Sequence, residues 1–239
     1  MDERIPLPPE CLAGFAPVLC DMMMSHGRRC PVCRQRWERA TQLAEDRARS
    51  MPDVMDDAEQ QGVAYTGMVS PLGTLWIAAS HRGICRISCD EDELTFCHEI
   101  ERGGWGAAHY VPSRLAGATA QLTAYFAGRR TTFDLSIDHG HRTVFQREVL
   151  ETVRCVPFGE KRSYREIAAE VGRPNAMRAV GTVMATNVLS IIIPCHRIVR
   201  SDGAMGEYAI RSRGACGVVL KQMLLALEGA GLDREAVQE

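Results

Sequence analysis

Two groups of residues in this 239-residue chain have types and spacings that can do chemistry. Near the carboxyl end the apolar run LSIII leads into Pro194-Cys195-His196-Arg197, setting a thiol beside an imidazole. The thiolate is the nucleophilic form of cysteine, and a free thiol with a pKa of about 8.5 is mostly protonated at neutral pH, so Cys195 needs a base. His196 is the neighbouring candidate. Adjacent residues at a strand end point to opposite sides, so it would act across a turn or through a bridging water. A carboxylate holding the imidazole in one tautomer would complete such a relay. On spacing alone, the commoner reading of a Cys-His pair is a packed thiol beside a surface imidazole.

The second group is His26-x3-Cys30-x2-Cys33, three ligand types at i, i+4 and i+7, which share a face if the segment is helical. With Cys20 or Cys11 as fourth ligand the set suits a tetrahedral zinc ion. Gly27 and Pro31 interrupt a continuous helix here. A redox role for the C-x-x-C is disfavoured because no strand precedes it. Cys85, Cys89 and His141 offer a further set without a clear fourth ligand. Cys97, Cys155 and Cys216 are most simply packing or incidental residues.

The elements that must position these groups follow from pattern. An Arg/Glu-rich stretch (RQRWERATQLAEDRAR) reads as a helix, and MPDVMDDAEQQG as a linker. VAYTGMV, TLWIAAS and ICRIS, separated by the turns SPLG and HRG, predict a meander of short strands. Helices are expected around Glu91 to Arg102 and around Ser113 to Ala127, where Leu115, Ala118, Leu122 and Tyr125 share a face. TTFDLSI predicts a further strand. From Thr143 onward helices dominate, with Phe145, Val149 and Val153 on one face. SYREIAAEVG carries Ser163 as N-cap, Glu166 at the capping-box position and Gly172 as a stop. The turn GRPN then leads into AMRAVGTVMATN, giving two short helices joined by a Gly-containing turn, the pattern of a helix-turn-helix. LSIII predicts a buried strand, and GVVLKQMLLALEG a closing helix.

Composition bounds the class. Hydrophobic residues at 46% and charged residues at 24% describe a globular protein rather than a disordered one. No signal peptide and no membrane-spanning run are expected, so the ten cysteines read as thiols of a reducing, cytoplasmic location. The net charge of -2 hides an uneven spread. From Lys161 to Lys221 ten Arg/Lys residues face only Glu166, Glu170, Asp202 and Glu207, an excess of six positive charges on one segment. The global figure therefore does not exclude nucleic acid.

The string RAVGTVMATNVLSIIIPCHRIVRSDGAMGEY resembles the signature region of the O6-alkylguanine-DNA alkyltransferases, with RAVG, the Asn, PCHR and the later Tyr at that family's mutual spacing. The likeness runs from about Val63 to Gly229 through SPLG, AYFAG, TVFQREVL, VPFGEKRSYREIA and ALEG. NVLSIIIPCHR is closer to the Ada-type members, since others often carry proline where Val188 and Ser190 stand. SHGRRCPVCRQRW resembles the zinc-associated motif of anti-sigma factors.

The resemblance implies an α/β (α+β) chain in three parts. These are an amino-terminal Cys/His module with its linker over 1–60, a ribonuclease-H-like domain over 61–142, and a winged helix-turn-helix-like helical DNA-binding domain over 143–239. It implies direct reversal of O6-alkylguanine damage in double-stranded DNA, with O4-alkylthymine as a further candidate substrate. One alkyl group would pass irreversibly to Cys195. His196 would be the base and Glu228 its orienter. Tyr164 and Lys221 would neutralise the departing guanine, and Asn187 would organise the active-site turn. Pro194, Tyr208, Ala209 and Ile210 would line the pocket, the last two standing where many members carry a hydroxyl or Gly. Arg178 would fill the stack vacated by the flipped base, with Ala176, Ala179 and Gly181 on the DNA-facing helix. No cofactor is implied for transfer. A structural zinc ion in the amino-terminal module, a monomeric state and no membrane contact complete the expectation. The competing function is an alkylation sensor whose amino-terminal zinc module, built on Cys20, His26, Cys30 and Cys33, binds a transcription partner.

Overall fold

A computed structural model describes residues 15–50, 62–89, 91–204 and 217–229. Cys11, Tyr208, Ala209, Ile210 and Cys216 lie outside the described residues. The chain divides into two compact units, one ending at Asp138 and the other beginning at His139.

The first unit opens with two helices, α1 (Pro17–Arg29) and α2 (Pro31–Ser50). The break between them falls at Pro31, as expected, while Gly27, also expected to interrupt the helix, lies within α1. Cys30 caps α1 in an extended conformation (φ -117°, ψ 101°), and Pro31 starts α2, where a proline needs no amide donor. The expected meander follows as β1 (Val63–Ser70), β2 (Gly73–Ser80) and β3 (Gly83–Cys89). It turns at Gly73, whose φ of +97° favours glycine. Next come α3 (Glu93–Arg102), capped by the Asp92 carboxylate, and α4 (Pro112–Phe126). Between them β4 (Ala108–Tyr110) pairs parallel to β1, giving the sheet order β3-β2-β1-β4. The sequence pattern did not announce β4, because three half-buried residues show no alternation. Tyr65, Trp76 and Phe96 form the aromatic centre of the core, with Trp76 and Phe96 stacked at 5.9 Å.

TTFDLSI does not form the predicted strand. It touches β3 by a single bridge, Ile84 to Ile137, with Ile84 N–H donating to Ser136 and Asp138 N–H to Ile84. The Asp138 carboxylate then accepts from Ser80 Oγ at 2.6 Å, and the pairing stays an isolated bridge.

In the second unit, α5 (Val144–Arg154) buries Val149, Leu150 and Val153, and β5 (Arg162–Ser163) precedes the helix pair α6 (Tyr164–Glu170) and α7 (Met177–Ala185). Reciprocal capping boxes start α5 at Thr143/Gln146 and α6 at Ser163/Glu166. Gly172, with φ +71°, lets the chain leave α6. A 3-10 turn (Cys195–Arg197) runs into β6 (Ile198–Val199), which pairs with β5, and α8 (Gly217–Leu227) closes the unit. Among the described residues no helix is long and apolar enough to cross a membrane.

Candidate active site

The segment that leads to Cys195 is buried as predicted, yet it is a knot of tight turns instead of a strand. Leu189, Ser190, Ile191, Ile192 and Ile193 are all buried, but they form isolated bridges, such as Ser190 to Ile193, and no ladder among the described residues. Ile191 has φ +77°, a costly conformation for a β-branched residue. Asn187 makes the knot possible. Its Oδ1 accepts from Leu189 N–H (3.0 Å), while Nδ2 donates to the Ile193 carbonyl (3.1 Å) and to Cys195 Sγ (3.2 Å). One buried side chain thus closes the turn and holds the thiol.

His196 follows on the 3-10 turn and is fully buried. Its Nε2 lies 2.9 Å from Glu228 Oε1, a residue just past the end of α8. Glu228 also takes a two-pronged grip from Arg197, Nε to Oε2 and Nη2 to Oε1, both at 2.8 Å. A third donor, Gly159 N–H, approaches Oε2 at 3.4 Å. Arg197 further donates to the Val156 carbonyl and lies over the Phe158 ring. Burial alone would push the Glu228 carboxyl up, but the His196 and Arg197 hydrogen bonds outweigh it and hold it at about 2. The carboxylate is therefore charged and acts as an acceptor. His196 must then donate Nε2–H to it, which leaves the Nδ1 lone pair as the basic one. Burial lowers the imidazole pKa despite Glu228, so the ring is neutral and able to take a proton.

Burial raises the Cys195 thiol. Hydrogen bonds from Asn187 and Ser190 and the charge of Lys221 work the other way. Lys221 is fully buried on α8, donates to the Ile198 carbonyl at 2.6 Å, and is depressed to about 8 by burial, with Cys195 partly offsetting the drop. At neutral pH it still carries a positive charge beside the thiol. The arrangement stores a neutral thiol next to a neutral base, with two neutral donors and one cation ready to stabilise the thiolate once the proton moves.

Cys195, His196, Glu228, Asn187 and Lys221, proposed from sequence, thus come together, and Pro194 caps the 3-10 turn that carries the first two. Tyr164 is half-buried in the first turn of α6. Arg178 and Ala179 are exposed on α7, Ala176 and Gly181 half-buried, and a Cβ at Gly181 would meet nothing within 4 Å. Two contributors were missed. Arg197 stood in the PCHR string without an assigned role, and Ser190 stood there only as a non-proline. Ser190→Ala is expected to shift the pH midpoint of Cys195 alkylation upward by about half a unit to one unit, since a neutral hydrogen bond contributes about 1 kcal/mol. Ser190→Thr, which keeps the hydroxyl, should retain the wild-type profile. Superimposable profiles for wild type and Ser190→Ala would remove Ser190 from the site.

At the amino end, the ligand atoms of His26, Cys30 and Cys33 lie within 4.8 Å of one another. Cys20 is not in that group, its Sγ standing 4.0 Å from the Phe15 carbonyl. Cys85 and Cys89 are both fully buried on β3, and among the described residues only the His26 group gathers three metal-ligand types. Cys97 is half-buried and Cys155 exposed.

Comparison with known proteins places both units. Residues 63–139 match the 6-O-methylguanine DNA methyltransferase ribonuclease-like domain, and residues 144–230 match the DNA binding domain of the same family. A methylated-DNA--protein-cysteine methyltransferase of Rattus norvegicus is 39% identical over 186 residues, covering 72% of this chain and 85% of the relative. The bifunctional transcriptional activator/DNA repair enzyme Ada of Escherichia coli is 35% identical over 178 residues, 74% of this chain and 48% of that protein. Among solved structures, Mycobacterium tuberculosis OGT in complex with DNA superposes with a TM-score of 0.57 at 34% identity, covering 70% of this chain and 93% of that one.

Proposed function

The chain belongs to the 6-O-methylguanine DNA methyltransferase family and transfers the methyl group of O6-methylguanine in DNA to an active-site cysteine; from that premise we propose that Cys195 is the acceptor and His196 its base. The observation that carries this reading is two buried clusters joined by one peptide bond, Asn187 donating to Cys195 Sγ, and His196 meeting the Glu228 carboxylate that Arg197 also holds. The thiol proton passes to His196 Nδ1, directly or through water. Cys195 Sγ attacks the methyl carbon, the S–C bond forms as the C–O6 bond breaks, and the electron pair leaves with guanine. Lys221 and Tyr164 stabilise that anion until it is protonated. The step is a displacement at a saturated carbon, so it needs charge stabilisation at the leaving base and no oxyanion hole. A thioether is a poor leaving group, so each molecule repairs one lesion. O4-alkylthymine is a second substrate in this reading.

A base inside a duplex cannot reach a buried thiol, so the nucleotide is flipped out. The exposed Arg178 at the head of α7 takes its place, and the compact Ala176, Ala179 and Gly181 let the helix lie closely in the minor groove. Unstacking costs a few kcal/mol, so Arg178→Ala should slow repair of duplex DNA by tenfold or more, roughly, while transfer from the free base stays near the wild-type rate. Equal losses on the two substrates would count against the flipping role.

The remaining assignments are of the same kind. The protein works as a monomer on duplex DNA, with its domains divided at 60/61 and 142/143. The absence of proline at Val188 and Ser190 favours the Ada-type branch. Transfer uses no cofactor, and His26, Cys30 and Cys33 hold a structural zinc ion with Cys11 as the fourth ligand, Cys20 standing outside the group.

A further inference from the structure

The His26 group lies at the bend of a helical hairpin that has little core of its own. Among the described side chains of this hairpin the buried apolar residues are Ala16, Leu19, Met23, Cys33, Trp37 and Ala40. The ligands come from three local states: His26 from the last turn of α1, Cys30 from its cap, and Cys33 from the first turn of α2. Cys30 N–H donates to the His26 carbonyl at 2.9 Å, so the backbone itself holds the first two in register. Two thiolates and an imidazole are the donor set of zinc, and a tetrahedral ion with bonds of about 2.0 to 2.3 Å spans ligand atoms about 3.5 to 4 Å apart. Ligand atoms within 4.8 Å of one another need only a small closure to share one ion.

The bend is also tied to the sheet. One turn beyond Cys33, Trp37 is buried and donates Nε1–H to the Pro71 carbonyl at 2.7 Å, in the turn between β1 and β2. Its ring lies against Gly27, where a Cβ would sit 2.8 Å from the indole. The buried Arg36 runs its methylenes over Gly73 of the same turn, where a Cβ would meet its Cγ at 2.5 Å. Two residues flanking the ligands, Gly27 beside His26 and Trp37 beyond Cys33, therefore meet each other, and Trp37 meets the β1–β2 turn.

We propose that a zinc ion on His26, Cys30 and Cys33 is the clasp that keeps the α1–α2 hairpin seated on the β1–β2 turn, so that zinc occupancy governs this docking. The inference rests on the zinc assignment above and adds its consequence. The ion fixes the angle between α1 and α2, and that angle brings Gly27 and Trp37 together over Pro71. Metal binding of this kind supplies folding free energy that a small hairpin lacks.

The test uses the full chain loaded with zinc. Elemental analysis should find one zinc per molecule, removed by a strong chelator and restored by added zinc. Hydrogen exchange followed by mass spectrometry should then show about tenfold or greater acceleration in peptides covering 17–40 and the turn around Pro71 after chelation, with α5 to α8 unchanged. Cys30→Ser should reproduce this without chelator; if that variant fails to fold, the chelated wild type decides. Zinc bound and removed with no change in exchange overturns the clasp while leaving the zinc assignment standing. A folded full chain that takes up no zinc overturns both.

Discussion

Cys195→Ala is expected to take up no methyl group from an O6-methylguanine oligonucleotide at any incubation time, while the wild-type chain gains one methyl per molecule and then stops. Intact mass shows the gain, and peptide mapping should place it on Cys195. The loss is complete because Cys195 alone among the described thiols has the Asn187 donor and the Lys221 charge, whereas Cys30 and Cys33 sit with His26 as metal-type ligands. Cys155 is exposed at the end of α5, and Cys85 lies in the sheet with its pKa pushed up to about 12 by burial and by Asp138. At Cys195 burial raises the thiol too, but the Asn187 and Ser190 donors, the Lys221 charge and the adjacent neutral His196 provide both a proton acceptor and a stabilised thiolate. Methyl appearing on another cysteine, or an unmodified wild-type chain after reduction, would overturn the assignment.

Glu228→Gln is expected to impair folding as well as transfer, with a stability loss of about 3 to 5 kcal/mol, the range for removing one partner of a buried ion pair. Glu228 neutralises Arg197 and fixes the His196 tautomer, and its side chain is fully buried. A glutamine keeps an acceptor for His196 but leaves the guanidinium uncompensated. The pH dependence has a definite sign. The folded carboxyl titrates at about 2 against 4.5 when free, so its stabilisation is fully present above about 4.5 and is lost as pH falls toward 2. Wild-type stability should therefore fall through that window by about 3 kcal/mol on account of this group, and the variant's should fall less. Lys221 acts in the opposite range. Its folded value of about 8 lies below the free value of 10.5, so its burial penalty is complete below 8 and lifts as pH rises toward 10.5. Denaturant titrations at several pH values measure both limbs. An unchanged midpoint in Glu228→Gln would show that the carboxylate is dispensable.

How much of this was legible beforehand depended on distance along the chain. The meander, the capped helices and the helix pair were readable because alternation, capping boxes and glycine stops act within a few residues. TTFDLSI and LSIII misled for one reason. Both have strand composition, but strand formation needs a partner ladder. One finds a single bridge, Ile84 to Ile137, and Asn187 folds the other into turns. Arg197 escaped notice because nothing in the string PCHR says that its guanidinium meets a carboxylate 31 residues later.

The amino-acid sequence by itself determined which atoms can react. The thiol, the imidazole beside it, the local excess of positive charge and the three zinc-type ligands are properties of residue type and spacing. Only the tertiary structure decided their states. Burial makes His196 neutral, Glu228 reaches it across 32 residues to set its tautomer, and Asn187 ties the thiol to a turn that Ile191 enters at positive φ. The physical reason is that protonation and orientation depend on dielectric surroundings and on partners brought in from afar, and neither exists until the chain has folded.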